Sequence, residues 1–355
     1  MAVSTSTTSV PLAAAELRQP DLFVAGSVSF DLVFAGIAAR PAPGREVHAA
    51  DLGGVPGGVA TVAVTAARLG AQVVLACGFA FDAYGDFLWE TLVREGVDLS
   101  CSTRWEGWST PVSVSLADST ERSLVTYERP PAAGLDELLG TAPAARAVVV
   151  PLSAISARQL GSLRDAGSVV LADVSWEVAE AWHSGLSERL ASVDIFTPNA
   201  TEAGLLTGTA DPEAALEELR TQVAGTVVVK CGSRGALAAS GEEVVWEPAI
   251  GVEAIDTTGA GDIFDAAFLM ASLAELDLQH SLRFANLIAG LSTRCCGSSL
   301  SAPCWSEVWT WYKDSQEPVD YQFLLSLQSP SESVEPCFHG GSSFPSAGGS
   351  TAISA

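Results

Sequence analysis

Asp256-Thr257-Thr258-Gly259-Ala260-Gly261-Asp262, running straight into Ile263-Phe264-Asp265-Ala266-Ala267-Phe268-Leu269-Met270, decides how this chain is read. Two glycines and a small residue precede a helical pattern, with a carboxylate at the junction. The first-turn N–H groups of a helix have no partner within it, and they sit at the positive end of the helix dipole. Glycines there remove side chains that would hold an anion away. A carboxylate beside such a cradle can take a proton from an attacking hydroxyl. The run predicts a phosphoryl site at the start of a helix over Ala260–Leu273. The plainer alternative is a helix whose first turn merely carries a stabilising acid.

Outward from that helix, short apolar runs alternate with helical patterns. Strands are expected at Leu22–Gly26, Gln72–Cys77, Arg146–Val150, Ser168–Ala172, Asp194–Thr197 and Thr226–Cys231. Helices are expected at Val59–Leu69, Tyr84–Glu95, Ala157–Asp165, Pro212–Val223, Ala260–Leu273 and Gln279–Arg294. Such alternation implies right-handed crossovers and a mostly parallel sheet covered on both faces, the three-layer α/β/α class. Two stretches break the rhythm: 34–51, with Pro41, Pro43 and Gly44, and 110–128, where Val112, Val114 and Leu116 alternate with Ser113 and Ser115. Period-two alternation marks a half-exposed antiparallel strand. The two are expected to form a small β-sheet standing off the main domain as a lid; an edge extension of the main sheet is the alternative. Residues 1–20 read as a flexible leader and 21–313 as one domain. Residues 314–355 read as a disordered acidic tail without Lys or Arg, in which Phe323-Leu324-Leu325 is a candidate for docking as a short helix.

Composition narrows the function. A net charge of −24 with 18 Lys and Arg argues against nucleic acid and against an anionic membrane surface. A nucleotide is still allowed, because backbone N–H groups and Mg²⁺ neutralise phosphates locally. No signal peptide or spanning run is visible, so a cytoplasmic protein is expected. The 7 Cys resemble no secreted disulfide framework. Cys295, Cys296 and Cys304 lack the spacing and the His of a zinc site, and free buried thiols are expected instead. No Gly-x-x-x-x-Gly-Lys-Ser/Thr loop is present, nor a Gly-x-Gly-x-x-Gly in the first βα unit, which argues against a P-loop ATPase and a dehydrogenase.

The 256–262 run resembles the signature of the ribokinase-like sugar kinases, also called phosphofructokinase-B-type carbohydrate kinases. Pro56-Gly57-Gly58-Val59-Ala60-Thr61-Val62-Ala63 is similar to that family's first signature, and further motifs agree in order from about Leu22 to Lys313. The resemblance implies an ATP-dependent kinase acting on a hydroxyl of a sugar or sugar-like substrate, with Asp262 as base and Gly259, Ala260 and Gly261 as the anion hole. It implies substrate contacts from Asp31, Gly57, Gly58 and Thr61, the last standing where the family usually has Asn. It places Asn199, Lys230, Gly232, Gly235 and Asn286 on the nucleotide side, and Glu202 in the outer shell of Mg²⁺. A monovalent cation, K⁺ in that family, would lie near Asp256 and Thr258. The lid would close over the sugar and could join two copies as a homodimer, and Glu121-Arg122 lies within it, as an active-site contributor or a solvated charge pair. Each motif has a local alternative: Asn199 with Glu202 is also a capping box, Gly232 and Gly235 also suit a β-turn, Asp82 reads as a helix cap, and Asn286 is also a polar residue on an apolar helix face. Two other functions remain compatible: a nucleoside kinase of the same fold, and a non-catalytic sugar-binding relative.

Overall fold

Leu22–Ala25 forms β1, and all four residues are fully buried. Side chains alternate along a strand, so Leu22 and Val24 enter one core while Phe23 and Ala25 enter another. A strand buried on both faces needs helices above and below it. The computed structural model describes residues 19–117, 122–130, 134–140, 142–175, 179–180, 186–315 and 318–327. It places β1 in an eight-stranded sheet of order β14-β13-β12-β11-β10-β9-β1-β4. The other members are β4 (Val73–Ala76), β9 (Ala147–Pro151), β10 (Val169–Asp173), β11 (Ile195–Phe196), β12 (Thr226–Lys230), β13 (Ala236–Ser240) and β14 (Glu243–Glu247). From β4 to β12 every pairing is parallel; β13 and β14 add an antiparallel edge.

The described helices are α1 (Ala60–Arg68), α2 (Ala83–Arg94), α3 (Leu135–Leu139), α4 (Ala157–Asp165), α5 (Leu186–Leu190), α6 (Ala200–Thr207), α7 (Pro212–Leu219), α8 (Ala260–Leu273), α9 (Leu278–Ser292), α10 (Trp305–Asp314) and α11 (Leu324–Leu327). One core joins α1, α2, α8 and α9 to the sheet; the other joins α4, α6 and α7 to its opposite face. This is the expected three-layer α/β architecture. Asp82 caps α2 as read, its Oδ1 accepting from Gly85 N at 2.8 Å.

A second sheet has the order β3-β2-β7-β8, from β2 (Val28–Ala35), β3 (Asp51–Gly58), β7 (Val112–Ala117) and β8 (Arg122–Tyr127). The expected segment 34–51 is corrected: its strands lie on either side of it, and 36–50 forms the irregular connection. Pro41 and Pro43 lack the N–H a ladder needs, and Gly36 and Gly44 adopt φ of 67° and 74°. The second segment does supply β7 and β8, which pair antiparallel. Glu121 and the side chain of Arg122 lie outside the described residues. Two short strands, β5 (Gly78–Ala80) and β6 (Thr103–Trp105), complete the strands.

Two further expectations change. The stretch expected to be a disordered tail from 314 onward is ordered at 318–327, where Tyr321 and Leu324 are buried in the first core. The cause is apolar: Phe323 lies 4.9 Å from the His280 ring and Tyr321 lies 4.7 Å from Trp311, centroid to centroid. Residues 1–18, 316–317 and 328–355 lie outside the described residues. Cys304 is disulfide-bonded, so free thiols hold for Cys77, Cys101, Cys231, Cys295 and Cys296 but not there. No helix among the described residues is long and apolar enough to cross a membrane.

Candidate active site

The α8 N-terminus is built as the sequence suggested. Gly259 is its N-cap residue in the left-handed region, φ 76°, where an L side chain is disfavoured. A Cβ added there would lie 2.6 Å from Ser298 Oγ and 3.2 Å from Thr61 Cγ2. Ser298 itself has φ 42°. It is held in a short 3₁₀ turn, Ser298–Ser301, which Arg68 ties down by donating from Nη1 to the carbonyls of Leu300 (2.9 Å) and Ala302 (2.6 Å). Arg68 also pairs with Glu95 at 2.7 Å. Asp262 stands in the first turn of α8. Of the three expected anion-hole N–H groups, that of Ala260 is turned to the Thr257 carbonyl by a long 3.3 Å bond.

Behind this turn lies the Asp256 carboxylate, buried, accepting from Thr258 N at 2.9 Å and from Gly297 N at 3.4 Å. Thr258 Oγ1 is buried without a hydrogen-bond partner. A buried hydroxyl oxygen left over beside a carboxylate fits a small cation.

Lys230 corrects the sequence reading. It ends β12, and its Nζ donates to Asp265 Oδ2 (2.9 Å) and Oδ1 (3.1 Å) and to Asp173 Oδ2 (3.3 Å). The ammonium is thus engaged under α8 rather than presented to a nucleotide. Asp173, Asp262 and Asp265 each place a carboxylate oxygen within 4.8 Å of the other two. Burial alone would lower the Lys230 pKa, but Asp173, Asp265, Glu202 and Asp262 raise it, so the side chain is charged. Asp173 and Asp265 were missed as site residues. A signal existed for each: Asp265 lies three residues after Asp262, on the same helix face, and Asp173 ends a parallel strand, where open α/β sheets bind ligands.

On the sugar side, Asp31 sits midway along β2 opposite Val55. Its Oδ1 accepts from Ser29 Oγ at 2.6 Å. Gly57 makes room for that carboxylate, since a Cβ at Gly57 would lie 2.1 Å from Asp31 Oδ2. Gly58 has φ 62° and passes the Ser27 carbonyl. Thr61 is buried in α1 with its methyl toward Gly259, so it shapes the floor of the glycine turn. Ser299 Oγ donates to the Pro56 carbonyl at 2.5 Å. The two glycine motifs, far apart in sequence, meet through this 3₁₀ turn.

On the nucleotide side, Gly232 and Gly235 have φ of 58° and 103°, and a Cβ at Gly235 would lie 2.1 Å from the Glu247 carbonyl. Asn286 is buried, and its Nδ2 donates to the carbonyls of Glu247 (3.0 Å) and Pro248 (3.2 Å). Its amide nitrogen therefore fixes the loop after β14. Asn199 caps α6, its Oδ1 accepting from Thr201 N (2.9 Å) and Glu202 N (3.0 Å), while Glu202 Oε2 accepts from Asn199 N at 2.8 Å. The capping box is real. Burial, then the charge of Asp173, then that of Asp262, push Glu202 up to about 7, against the Asn199 bond and Lys230. This acidic, crowded position fits the outer shell of a divalent cation. Direct ligation by Asp173 and Asp265 does not fit, because Lys230 is already their cation.

Glu202 gives a pH prediction. Its folded pKa is raised above the unfolded value of about 4.3, so between that pH and about 7 the folded chain binds more protons and stability falls as pH rises. Glu202→Gln is expected to flatten that slope. Urea unfolding at several pH values across this window checks it, and an unchanged slope would contradict the assignment.

Comparison with known proteins identifies the family. The pfkB family carbohydrate kinase model matches residues 19–305. The chain is 29% identical over 308 residues to a ribokinase of Bacillus subtilis (strain 168), covering 81% of this chain and 98% of that one. It is 28% identical over 303 residues to a ribokinase of Mus musculus, covering 79% and 91%. Among solved structures, Arabidopsis thaliana ribokinase complexed with ribose and ATP is 26% identical with a TM-score of 0.66, covering 82% of this chain and 98% of that one. Thermotoga maritima ribokinase, at 24% identity, shares the fold with a TM-score of 0.68 over 83% and 99% of the two chains. A family match across most of the chain, which includes the α8 turn and its acids, settles the relationship: this chain belongs to the pfkB family of carbohydrate kinases and is an ATP-dependent carbohydrate kinase.

Proposed function

We propose that the enzyme phosphorylates a hydroxyl of a small free sugar, with a pentose as the first candidate, and that Asp262 is the base. The observation that carries this is the α8 turn: a carboxylate in the first turn of a helix whose N-cap glycine is held left-handed by Ser298 and Thr61. Asp31, seated against Gly57 and oriented by Ser29, accepts hydrogen bonds from sugar hydroxyls, and Gly58 lets backbone approach the ring. Asp262 takes the proton of the attacking hydroxyl. The N–H groups of Gly259 and Gly261, joined by that of Ala260 once it leaves Thr257, stabilise charge on the transferred phosphoryl group. Gly232 and Gly235 let backbone lie against ATP, with Asn199 and Asn286 bracing that side. Glu202 would hold Mg²⁺ through water, and the ion would supply positive charge against the ATP phosphates. Asp256 and Thr258 would hold K⁺, for which the partnerless Thr258 hydroxyl is the support.

The four-stranded sheet acts as the lid. Closing it excludes water from the phosphoryl site. Its strand β8 exposes Val125 and Tyr127 on one face, a face suited to a second copy of the chain. The enzyme works in the cytoplasm.

The test is ADP formation with Mg²⁺ and K⁺ across pentoses, hexoses, sugar acids and nucleosides. We expect one class of free sugar to give the highest kcat/KM. A nucleoside outcompeting every free sugar would replace the sugar by a nucleoside. Sugar binding without turnover would make the chain a binding protein.

A further inference from the structure

Lys230 has no assigned part in the sugar contacts or the nucleotide loops, yet it is held against two carboxylates with two more nearby. Its side chain is 11% exposed and that of Asp265 is 2% exposed. Burying such charges is costly unless they are paired and hydrogen-bonded. Here the pairing is made across three separate elements: the ends of β10 and β12 and the second turn of α8. A Cβ built on Gly261 would stand 3.6 Å from Lys230 Nζ. The ammonium therefore lies against the backbone of the glycine turn itself.

We propose that Lys230 is a positioning residue for phosphoryl transfer, its ammonium fixing the α8 first turn against β10 and β12 and adding positive charge directly beneath the anion hole. The proposal rests on the reading of the Gly259–Gly261 turn and Asp262 as the phosphoryl site.

Two features support a role beyond packing. The lysine stands among four carboxylates, Asp173, Asp262, Asp265 and Glu202, whose charges raise its pKa. Without it the anion hole would face those acids uncompensated, and each would repel the phosphates of a nucleotide. A cation held by two carboxylates at fixed distances is also preorganised, and charge that need not reorient during reaction is worth most in a water-excluded site. A purely structural ion pair would be replaceable by a neutral pair of similar shape. A charge that serves the reaction would not.

That contrast defines the experiment. Lys230→Met, the double variant Lys230→Met/Asp265→Asn, Lys230→Arg and Asp262→Asn are compared with the wild type for kcat, sugar KM and Tm. Lys230→Met alone strands Asp265 and is expected to lower both Tm and kcat. The double variant removes the buried stranded charge, leaving only the more exposed Asp173, and is expected to recover most of the Tm. Its kcat should stay at least about 10-fold below wild type, somewhat less than the ~10²–10³-fold that loss of a direct donor costs, with sugar KM little changed. Recovery of kcat together with Tm would show that the pair is structural and overturn the proposal. Should the double variant not fold, Lys230→Arg decides: a folded Arg variant that keeps kcat within about 10-fold of wild type supports the charge, and one as inactive as Lys230→Met overturns it. Asp262→Asn separates the two readings. If it abolishes turnover while the double variant turns over normally, the phosphoryl site stands and the role of Lys230 falls. Wild-type protein without sugar-dependent turnover removes both.

Discussion

Asp262→Asn is expected to lower kcat by about 10²–10⁴-fold, the range for a general base, while ATP still binds. Asn keeps the size and one acceptor oxygen of Asp but cannot take up a proton. The helix start is unaffected, because its conformation is set by Gly259 and the Ser298–Ser301 turn rather than by Asp262. The substitution also removes one charge from a group in which Asp173 and Asp265 lie within 4.8 Å, so folding stability should not fall. A lost kcat therefore reports chemistry. Initial rates with a sugar substrate, alongside calorimetric titration with ATP, check both halves. A kcat close to wild type would show that another group takes the proton. Loss of ATP binding with folding intact would show that Asp262 acts on the nucleotide instead.

Gly259→Ala is expected to lower kcat by about 10²-fold, as a misplacement of about 1 Å can do, with a smaller effect on sugar KM. Two costs combine. A non-glycine residue in the left-handed region loses about 1–2 kcal/mol, at a residue with φ 76°. The added Cβ also meets Ser298 Oγ at 2.6 Å and Thr61 Cγ2 at 3.2 Å, and Ser298 is fully buried in a turn held by Arg68. Relief has to come from the glycine turn itself, which moves the N–H groups off the phosphoryl position. Gly241→Ala, in the turn between β13 and β14, is the internal control. It has φ 56° but nothing within 4 Å of an added Cβ, so it carries the strain without the collision and should cost far less kcat. Steady-state kinetics on the two variants separate these cases; equal losses would mean that strain alone matters.

The parts legible in the sequence were those written in local pattern. β1, β4, β9, β10 and β12 are short apolar runs bounded by polar turns, and the 256–262 run declares its own backbone geometry through its glycines. What stayed illegible depends on side chains meeting from distant elements. Lys230 reads as part of a strand and turn, and only the sheet order brings it under α8 beside Asp173 and Asp265. The small sheet was misplaced because Pro41 and Pro43 drew the reading to the connection, while Val28–Ala35, with its mixed burial, looks like a plain continuation of β1. Asn286 carries a polar amide whose partners, the Glu247 and Pro248 carbonyls, lie almost forty residues away. The docking of the Phe323-Leu324-Leu325 run was legible in its apolar side chains, while the order of the residues just before it, Tyr321 among them, was not.

The central claim is transfer of a phosphoryl group from ATP to a sugar hydroxyl at the α8 turn. Mass spectrometry of the products formed from ATP and the best sugar of the substrate panel tests it most directly, with wild type and Asp262→Asn run in parallel. We expect one sugar phosphate formed per ADP by the wild type and almost none by the variant. ADP formed without sugar phosphate, or equal sugar phosphate from both proteins, would contradict it.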